Sequence, residues 1–509
     1  MNINLKNKER KNRKINENIN IKRNSTRFIF ILIIFFTSWL GFIILISAKK
    51  FSDDAIESTD SYFYLKIAEK SAVGEKFTHP VYSPGYSWFV SILYKTGLDV
   101  ELAGRITSSI FGFGTLVLTY LFSKEIFLLN LTRYESHILG FLSSSLLSFV
   151  PKFVWASSST LPYTTSTFFF MLSCFLSFIA RKKIHENKIS FLTLSFLSGA
   201  AGGIGYVVRP EIILSLFISA IFTRNFYAIL LSLLGFFVSS LPYHILSFNE
   251  GNLPSIISKL LLYKGEKIKT TSEGVKIKIE NSGKIFSPKG YLKTFVSNIH
   301  LFHKYALPGL LTSSYIFIFG MGFLHLVKHW EKLKDIGKTI FIILTVWFLF
   351  NFIIAIVADY FFIPILPQIC MISSLIFIEL YKNKKAIWLI LFFVFLLNIF
   401  YSLRPFYKDE GRKLYKIAGK WIAEKETESK IIFEPFPFAT FYSGKDWTTT
   451  PEKADIWVIS SLDHTSARGK PELIILPQDK IRDLGFAEPI TEIKYKNNIL
   501  RVFKPKLNN

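Results

Sequence analysis

The feature that most constrains this chain is a repeating pattern between residues 28 and 403: long apolar runs separated by polar connections. The runs fall at about 28–47, 102–122, 137–155, 161–180, 190–207, 211–222, 226–246, 306–327, 338–358, 360–380 and 386–403. About 20 apolar residues make a helix long enough to cross a bilayer, and such a helix satisfies its own backbone polar groups where no water can. Eleven runs predict a polytopic α-helical membrane protein. The run at 211–222 is the shortest, and losing it would move the C-terminus to the other side.

Composition matters chiefly through its distribution. The chain has 61 Lys+Arg against 37 Asp+Glu, a net charge of +24, and yet half of its residues are hydrophobic. A disordered chain lacks that apolar content, and a conventional nucleic-acid binder is not built this way. The charge and the apolar residues are segregated along the chain. The first 27 residues form a polar tail with nine Lys/Arg and two Glu. With that basic tail in the cytoplasm, the run 28–47 is a signal-anchor helix, and the inner connections hold fourteen further basic residues. The short outer connections hold only Arg209, as the positive-inside rule requires. The expected protein is a multi-pass inner (plasma) membrane protein with a cytoplasmic N-terminus and an extracytoplasmic C-terminus. Its inner basic residues set orientation and touch membrane lipids. Cys174 and Cys370 both lie inside apolar runs, which leaves no disulfide framework and no cysteine zinc site.

The expected organisation is a basic cytoplasmic tail (1–27), a transmembrane domain (28–403) with two large outer loops (49–101 and 247–305), and an extracytoplasmic α/β domain (404–509). In the last, Leu414, Ile417, Ala418, Trp421 and Ile422 share one helix face. Strand-like runs follow at 430–433, 455–460 and 473–476, and 495–498 reads as the turn of a terminal hairpin. The loop 247–305 carries ten Lys and four Glu, and the lysines within 259–289 either replace positive charge missing elsewhere in the outer loops or, the favoured reading, form an ordinary solvated basic loop.

The outer loop 49–101 carries the richest chemistry. Four acids, Asp53, Asp54, Glu57 and Asp60, fall within eight positions. They precede a helical pattern in which Tyr64, Ile67, Ala68 and Ala72 share a face, as for a helix lying on a membrane surface. Asp60 sits where an N-cap or first-turn residue would be. The loop continues through His79, Tyr82 and Ser83-Pro84-Gly85-Tyr86. Further on come Gly202-Gly203-Ile204-Gly205-Tyr206-Val207-Val208-Arg209-Pro210-Glu211, Leu241-Pro242-Tyr243 leading to Asn249-Glu250-Gly251, and Tyr360-Phe361-Phe362-Ile363-Pro364-Ile365-Leu366-Pro367.

In order and spacing these pieces, together with Asp60-x-x-x-Tyr64-Leu65-x-x-Ala68 and Arg105, resemble the GT-C superfamily of membrane glycosyltransferases. The likeness is to the dolichyl-phosphate-mannose–protein mannosyltransferases and their bacterial relatives that glycosylate lipid A. It covers roughly residues 28–404. The resemblance implies transfer of a sugar from a polyprenyl-phosphate donor to a hydroxyl of a lipid, glycan or protein acceptor, with inversion at the anomeric carbon. A hydroxyl is a poor nucleophile, so a carboxylate base helps, and Asp60 occupies the family's position for it. Arg209 is the implied contact to the leaving phosphate; the alternative is an arginine snorkelling at a helix end. Glu211 either pairs with Arg209 or serves the helix behind Pro210. Tyr64 and Tyr82 line the sugar site or simply pack, and His79 either aids acceptor binding or is a solvated loop residue.

Two departures stand out. Asp359 replaces the arginine that the family has before Tyr-x-x-Pro. The connection 157–165 has no carboxylate where relatives carry one, so no cofactor and no metal are assigned, a divalent cation being without support. No phosphate-binding glycine loop occurs, and nucleic acid is not an expected partner. The rival readings are a lipid-linked-sugar transporter or flippase and a non-catalytic membrane scaffold. Transporters carry ionisable groups deep in their spans, whereas here the acids gather in the loops.

Overall fold

In the computed structural model the described residues are 30–52, 54–75, 79, 81–250, 268–271, 274–277, 298–300, 302, 304, 307–354, 359–377, 400, 413–433, 438–448, 456–460, 491–495 and 498–503. The described part is a helical bundle with a small mixed sheet placed against one end.

Among the described residues, ten α-helices precede residue 250. They are α1 (Phe30–Ser52), α2 (Thr59–Ala72), α3 (Gly85–Tyr94), α4 (Val100–Phe127), α5 (Arg133–Ser148), α6 (Pro151–Ser157), α7 (Tyr163–Lys183), α8 (Lys188–Val208), α9 (Leu214–Thr223) and α10 (Phe226–Asn249). Five of them, α2, α4, α5, α8 and α10, begin on a residue whose side chain accepts hydrogen bonds from the orphan N–H groups of the first turn. Asp99 accepts from Glu101 and Leu102, Asn187 from Ser190, and Asn225 from Ala228, while Thr132 and Glu135 form a capping box. Many buried hydroxyls of the bundle bond back to carbonyls one turn earlier, as Ser109 does to Arg105 and Thr119 to Thr115, which keeps them from being stranded in an apolar interior.

Among the described residues, α1, α4, α7, α8 and α10 are long and apolar enough to cross a membrane. A sixth span results if α5 and α6 count as one, although they meet at 72°. The expected single run 137–155 is broken because Pro151 cannot supply the hydrogen bond that would continue α5. At the break the indole of Trp39 and the phenol of Tyr315 donate to the carbonyls of Ser148 and Leu146. The expected run 211–222 is a short apolar segment, a 3-10 turn over Pro210–Ile213 leading into α9. Ser314–Lys328 and Tyr360–Ser374 are also shorter apolar helices. Trp330–Ile354 starts eight residues before the run at 338, and the run at 386–403 lies almost wholly outside the described residues.

Near the C-terminus a five-stranded sheet has the order β4-β3-β5-β7-β6, with β3 (Ile431–Phe433) parallel to β4 (Asp446–Thr448) and β5 (Ile456–Ser460). The strand β7 (Asn498–Phe503) runs antiparallel to β5 and to β6 (Thr491–Tyr495), with Tyr495 opposite Asn498. A separate hairpin pairs β1 (Ile268–Thr271) with β2 (Gly274–Ile277). The strand-like run at 473–476 lies outside the described residues. The helix Lys413–Lys425 buries Leu414, Tyr415, Ala418 and Ile422, whereas Ile417, expected on that face, is exposed.

One placement differs from the sequence reading in a way that shapes the site. The pattern puts α2 on a lipid surface, but its apolar face is covered by protein. Tyr62, Tyr64, Leu65, Ile67 and Ala68 are all buried. Ser87 of α3 donates to the Tyr64 carbonyl at 2.7 Å, and the ring of Tyr62 meets Phe441 beneath the C-terminal sheet.

Candidate active site

The site begins with how α2 starts. Ser58 is its N-cap and accepts from the Ser61 N–H. Asp60 is therefore a first-turn residue with no capping duty. It is half-buried, and its Oδ1 accepts a 2.8 Å hydrogen bond from Tyr82 Oη. No described residue donates to its other oxygen, so one side of the carboxylate is available. A negative group in the first turn also lies favourably in the helix dipole.

Tyr82 is held in turn from its own loop. His79 Nδ1 accepts from the backbone N–H of Val81 at 3.2 Å and of Tyr82 at 3.4 Å. Phe63 stacks on Tyr82 at 4.9 Å between ring centres, and His79 lies 4.8 Å from the same ring. Burial pushes the His79 imidazole down to about 4, which keeps it neutral and makes Nδ1 an acceptor. His79 thus organises the turn that aims Tyr82.

Arg209 is the C-cap of α8, in extended backbone. Gly85 allows this approach. A Cβ there would lie 2.7 Å from the Val207 carbonyl carbon, so only glycine lets the start of α3 reach the end of α8. Arg209 and Glu211 are each 6% exposed, joined by Nε to Oε2 and Nη2 to Oε1, both at 3.3 Å. The guanidinium faces the rings of Tyr163 and Phe361, each centred 5.0 Å away. Its third nitrogen, Nη1, is buried and has no hydrogen-bond partner among the described residues. Burial alone would lower the guanidinium pKa, but Glu211, Tyr163 and Tyr64 raise it, so the group stays cationic. Glu211 therefore pairs with Arg209, one of the two alternatives that the sequence leaves open.

Tyr64 joins the two halves. Burial raises its phenol pKa, Arg209 opposes that rise, and Asp60 and Glu211 reinforce it, so all three charges act on one hydroxyl. Its ring also meets Tyr82 at 5.4 Å and Tyr86 at 5.7 Å. Tyr163 stacks on Tyr360 at 5.3 Å, and Tyr360 is close enough to Tyr82 to act on its phenol. The result is a carboxylate with an open oxygen, a guanidinium with an open N–H, and a wall of tyrosines between them.

A second cluster lies beside the first. Arg105 of α4 is fully buried. It donates to Glu101 from Nε at 3.0 Å and Nη2 at 2.8 Å, to Glu57 from Nη1, and to the carbonyls of Ser158 and Ala55. Glu57 also accepts from the Thr160 N–H at 3.1 Å and hydroxyl at 2.6 Å. Burial on its own would raise the Glu57 carboxyl, but Arg105, Lys50 and Thr160 together hold it at about 2.

Thr160 thus stands in the connection that lacks the family's carboxylate, and it serves Glu57. Among the described residues no three His, Cys, Asp or Glu side chains gather. Beside Asp60 the polar ligand is a phenol, a poor donor set for a divalent cation, which takes about six oxygens. The side chains of Asp359 and of the lysines within 259–289 lie outside the described residues.

The six residues that the sequence singled out, Asp60, Tyr64, His79, Tyr82, Arg209 and Glu211, fall in two halves bridged by Tyr64. Tyr163, Tyr360 and Phe361 also belong there, and Glu57 belongs to the cluster beside it. Tyr360 and Phe361 were visible only as part of a motif. Tyr163 follows a Ser/Thr-rich stretch with no local signal of its role.

This arrangement of helices is shared with solved structures. Among solved structures the chain is similar to ArnT from Cupriavidus metallidurans bound to undecaprenyl phosphate. The match has 10% identity, covers 92% of this chain and 98% of that one, and has a TM-score of 0.58. The same protein in its apo state matches at 11% identity, 92% and 97% coverage and the same TM-score. The oligosaccharyltransferase of Archaeoglobus fulgidus with zinc and sulfate gives 13% identity, 82% and 63% coverage and a TM-score of 0.49, too loose to establish a common fold. No protein-family model and no curated protein sequence matches the chain.

Proposed function

We propose that this protein is a membrane glycosyltransferase that moves a sugar from a polyprenyl-phosphate donor to a hydroxyl on the outer face of the cytoplasmic membrane. The observation that carries the reading is the pairing of Asp60, with one oxygen open, and Arg209, with Nη1 open, around Tyr64. In this reading Asp60 takes the proton of the acceptor hydroxyl as that oxygen attacks the anomeric carbon. Tyr82 orients the carboxylate. The polyprenyl phosphate leaves from the opposite face of the sugar, toward Arg209, whose spare N–H stabilises the developing charge. The tyrosine wall suits a sugar ring, which presents C–H faces and hydroxyl edges. A lipid-borne donor fits a site outside the cytoplasm, where nucleotide sugars are absent, and fits the undecaprenyl phosphate held by ArnT. Inversion follows from a single displacement. Eleven spans, a cytoplasmic N-terminus and an outer C-terminal domain over 404–509 complete the reading.

The test uses purified protein in liposomes with a panel of labelled polyprenyl-phosphate sugars. Wild type transfers label to an acceptor, and Asp60→Asn lowers turnover by about a hundredfold or more with its melting transition unchanged. Equal turnover by Asp60→Asn removes Asp60 from the base role. A reporter fused after Leu403 should be active only outside the cytoplasm; cytoplasmic activity would sink the topology.

A further inference from the structure

The C-terminal segment reaches into the network that fixes the loop before Asp60. Glu101 gives one carboxylate oxygen to Arg105 and the other to two residues more than 300 positions away. Tyr442 Oη donates to Glu101 Oε2 at 2.9 Å, and Lys416 Nζ donates to the same atom at 3.0 Å. Both residues then touch the end of α1 or the lead into α2. Tyr442 Oη accepts from the backbone N–H of Ile56 at 3.0 Å, and Lys416 Nζ donates to the Phe51 carbonyl. The connection between α1 and α2 is therefore held from the last turn of α1, at Phe51, and at Ile56, one residue before Glu57 and four before Asp60.

The approach is built into the packing. Tyr442 lies on the short helix Phe438–Ser443, which crosses Lys413–Lys425 at Gly419. A Cβ on Gly419 would lie 2.4 Å from the Ala439 carbonyl oxygen and 2.6 Å from the Tyr442 Cβ. Buried ion pairs seldom add net stability over apolar packing of the same volume, and their best-attested use is to specify one geometry. A network of Glu57, Arg105, Glu101 and Lys416, most of it out of water, on the three-residue lead to a base suits that use.

We infer that the C-terminal segment is part of the catalytic apparatus, with Tyr442 and Lys416 as positioning residues that hold the end of α1 and the lead into α2 and thereby set Asp60 against Tyr82 and Arg209. This inference rests on the proposed function for its rate arm alone; its structural arm stands independently. The experiment compares wild type, Tyr442→Phe and Lys416→Met in the same nanodiscs, by hydrogen exchange of the peptide covering 54–64 and by turnover of the labelled donor. In Tyr442→Phe, exchange at Ile56 and its neighbours should be about tenfold faster, the scale of one lost hydrogen bond. kcat should fall by about the same factor with the donor KM within about twofold. In an Asp60→Asn background the Tyr442→Phe change should have little further effect on the residual rate, because both act through one group.

Unchanged exchange at 54–64 in both variants overturns the inference whatever turnover does. A fall in kcat of equal size with and without Asp60 overturns the route through Asp60. If wild type transfers no sugar, the proposed function fails and the exchange result alone decides whether the segment holds the loop.

Discussion

Two buried arginines stand beside glutamates at the same end of the bundle, and their hydrogen bonds are spent differently. Arg105 uses all three nitrogens, on two carboxylates and two backbone carbonyls. Arg209 makes two long bonds to a single partner, faces two aromatic rings, and leaves Nη1 unused. A buried N–H without a partner costs about 1–3 kcal/mol. A guanidinium that is fully satisfied belongs to the architecture; one that carries such a cost has a donor ready for an anion. The same residue type, a few helices apart, therefore serves the fold in one place and, in the proposed function, a ligand in the other.

The comparison breaks if the two arginines respond alike to removal. Arg105→Gln leaves Glu57 and Glu101 buried without their main cation, and should cost about 3–5 kcal/mol, read as a large drop in melting temperature and in yield. Replacing the other pair together, Arg209→Gln with Glu211→Gln, removes cation and anion at once. Its melting should change little while turnover falls by about a hundredfold, the scale of a lost charge-stabilising donor. A double variant that melts early but turns over normally would reverse the assignment.

Smaller effects sharpen the picture around Asp60. Tyr82→Phe removes the one described donor to Asp60 and should lower kcat by about tenfold with little change in donor KM, in steady-state kinetics. The gentlest test is pH. Glu57 is depressed from 4.5 to about 2, so its pairing supports the fold above pH 4.5, and that support is lost as pH falls toward 2. His79 is depressed from 6.5 to about 4, so the folded loop gains nothing from its proton. Its contribution is complete above pH 6.5 and drains away as pH falls toward 4. Melting curves of Glu57→Gln and His79→Gln should lose pH dependence in those separate windows; the same window for both would mean that one shift is misassigned.

Much of this architecture was legible in the chain. The runs at 102–122, 161–180, 190–207 and 226–246 became α4, α7, α8 and α10 with ends moved by a few residues, because hydrophobic length and capping are local properties. Asp60, Tyr64, Tyr82, Arg209 and Glu211 were also visible, through motif order. The role of His79 was not, since a lone histidine in a loop does not announce that two backbone N–H groups will point at its ring. The burial of α2 was hidden for a similar reason: an amphipathic face looks the same whether lipid or protein will cover it.

By itself the sequence determined that the chain would form apolar helices, in what order, and which stretch of loop would gather acids. Only the tertiary structure decided what each charge does. Ser58 takes the cap and so frees Asp60, Pro151 turns one expected span into two helices at 72°, and Glu57 finds Arg105 48 residues away. Lys416 and Tyr442 reach Glu101 from 315 and 341 positions off. Helix formation is driven by neighbours in the chain, whereas pairing a buried charge depends on which partner the whole fold brings within about 3 Å, and nothing local encodes that distance.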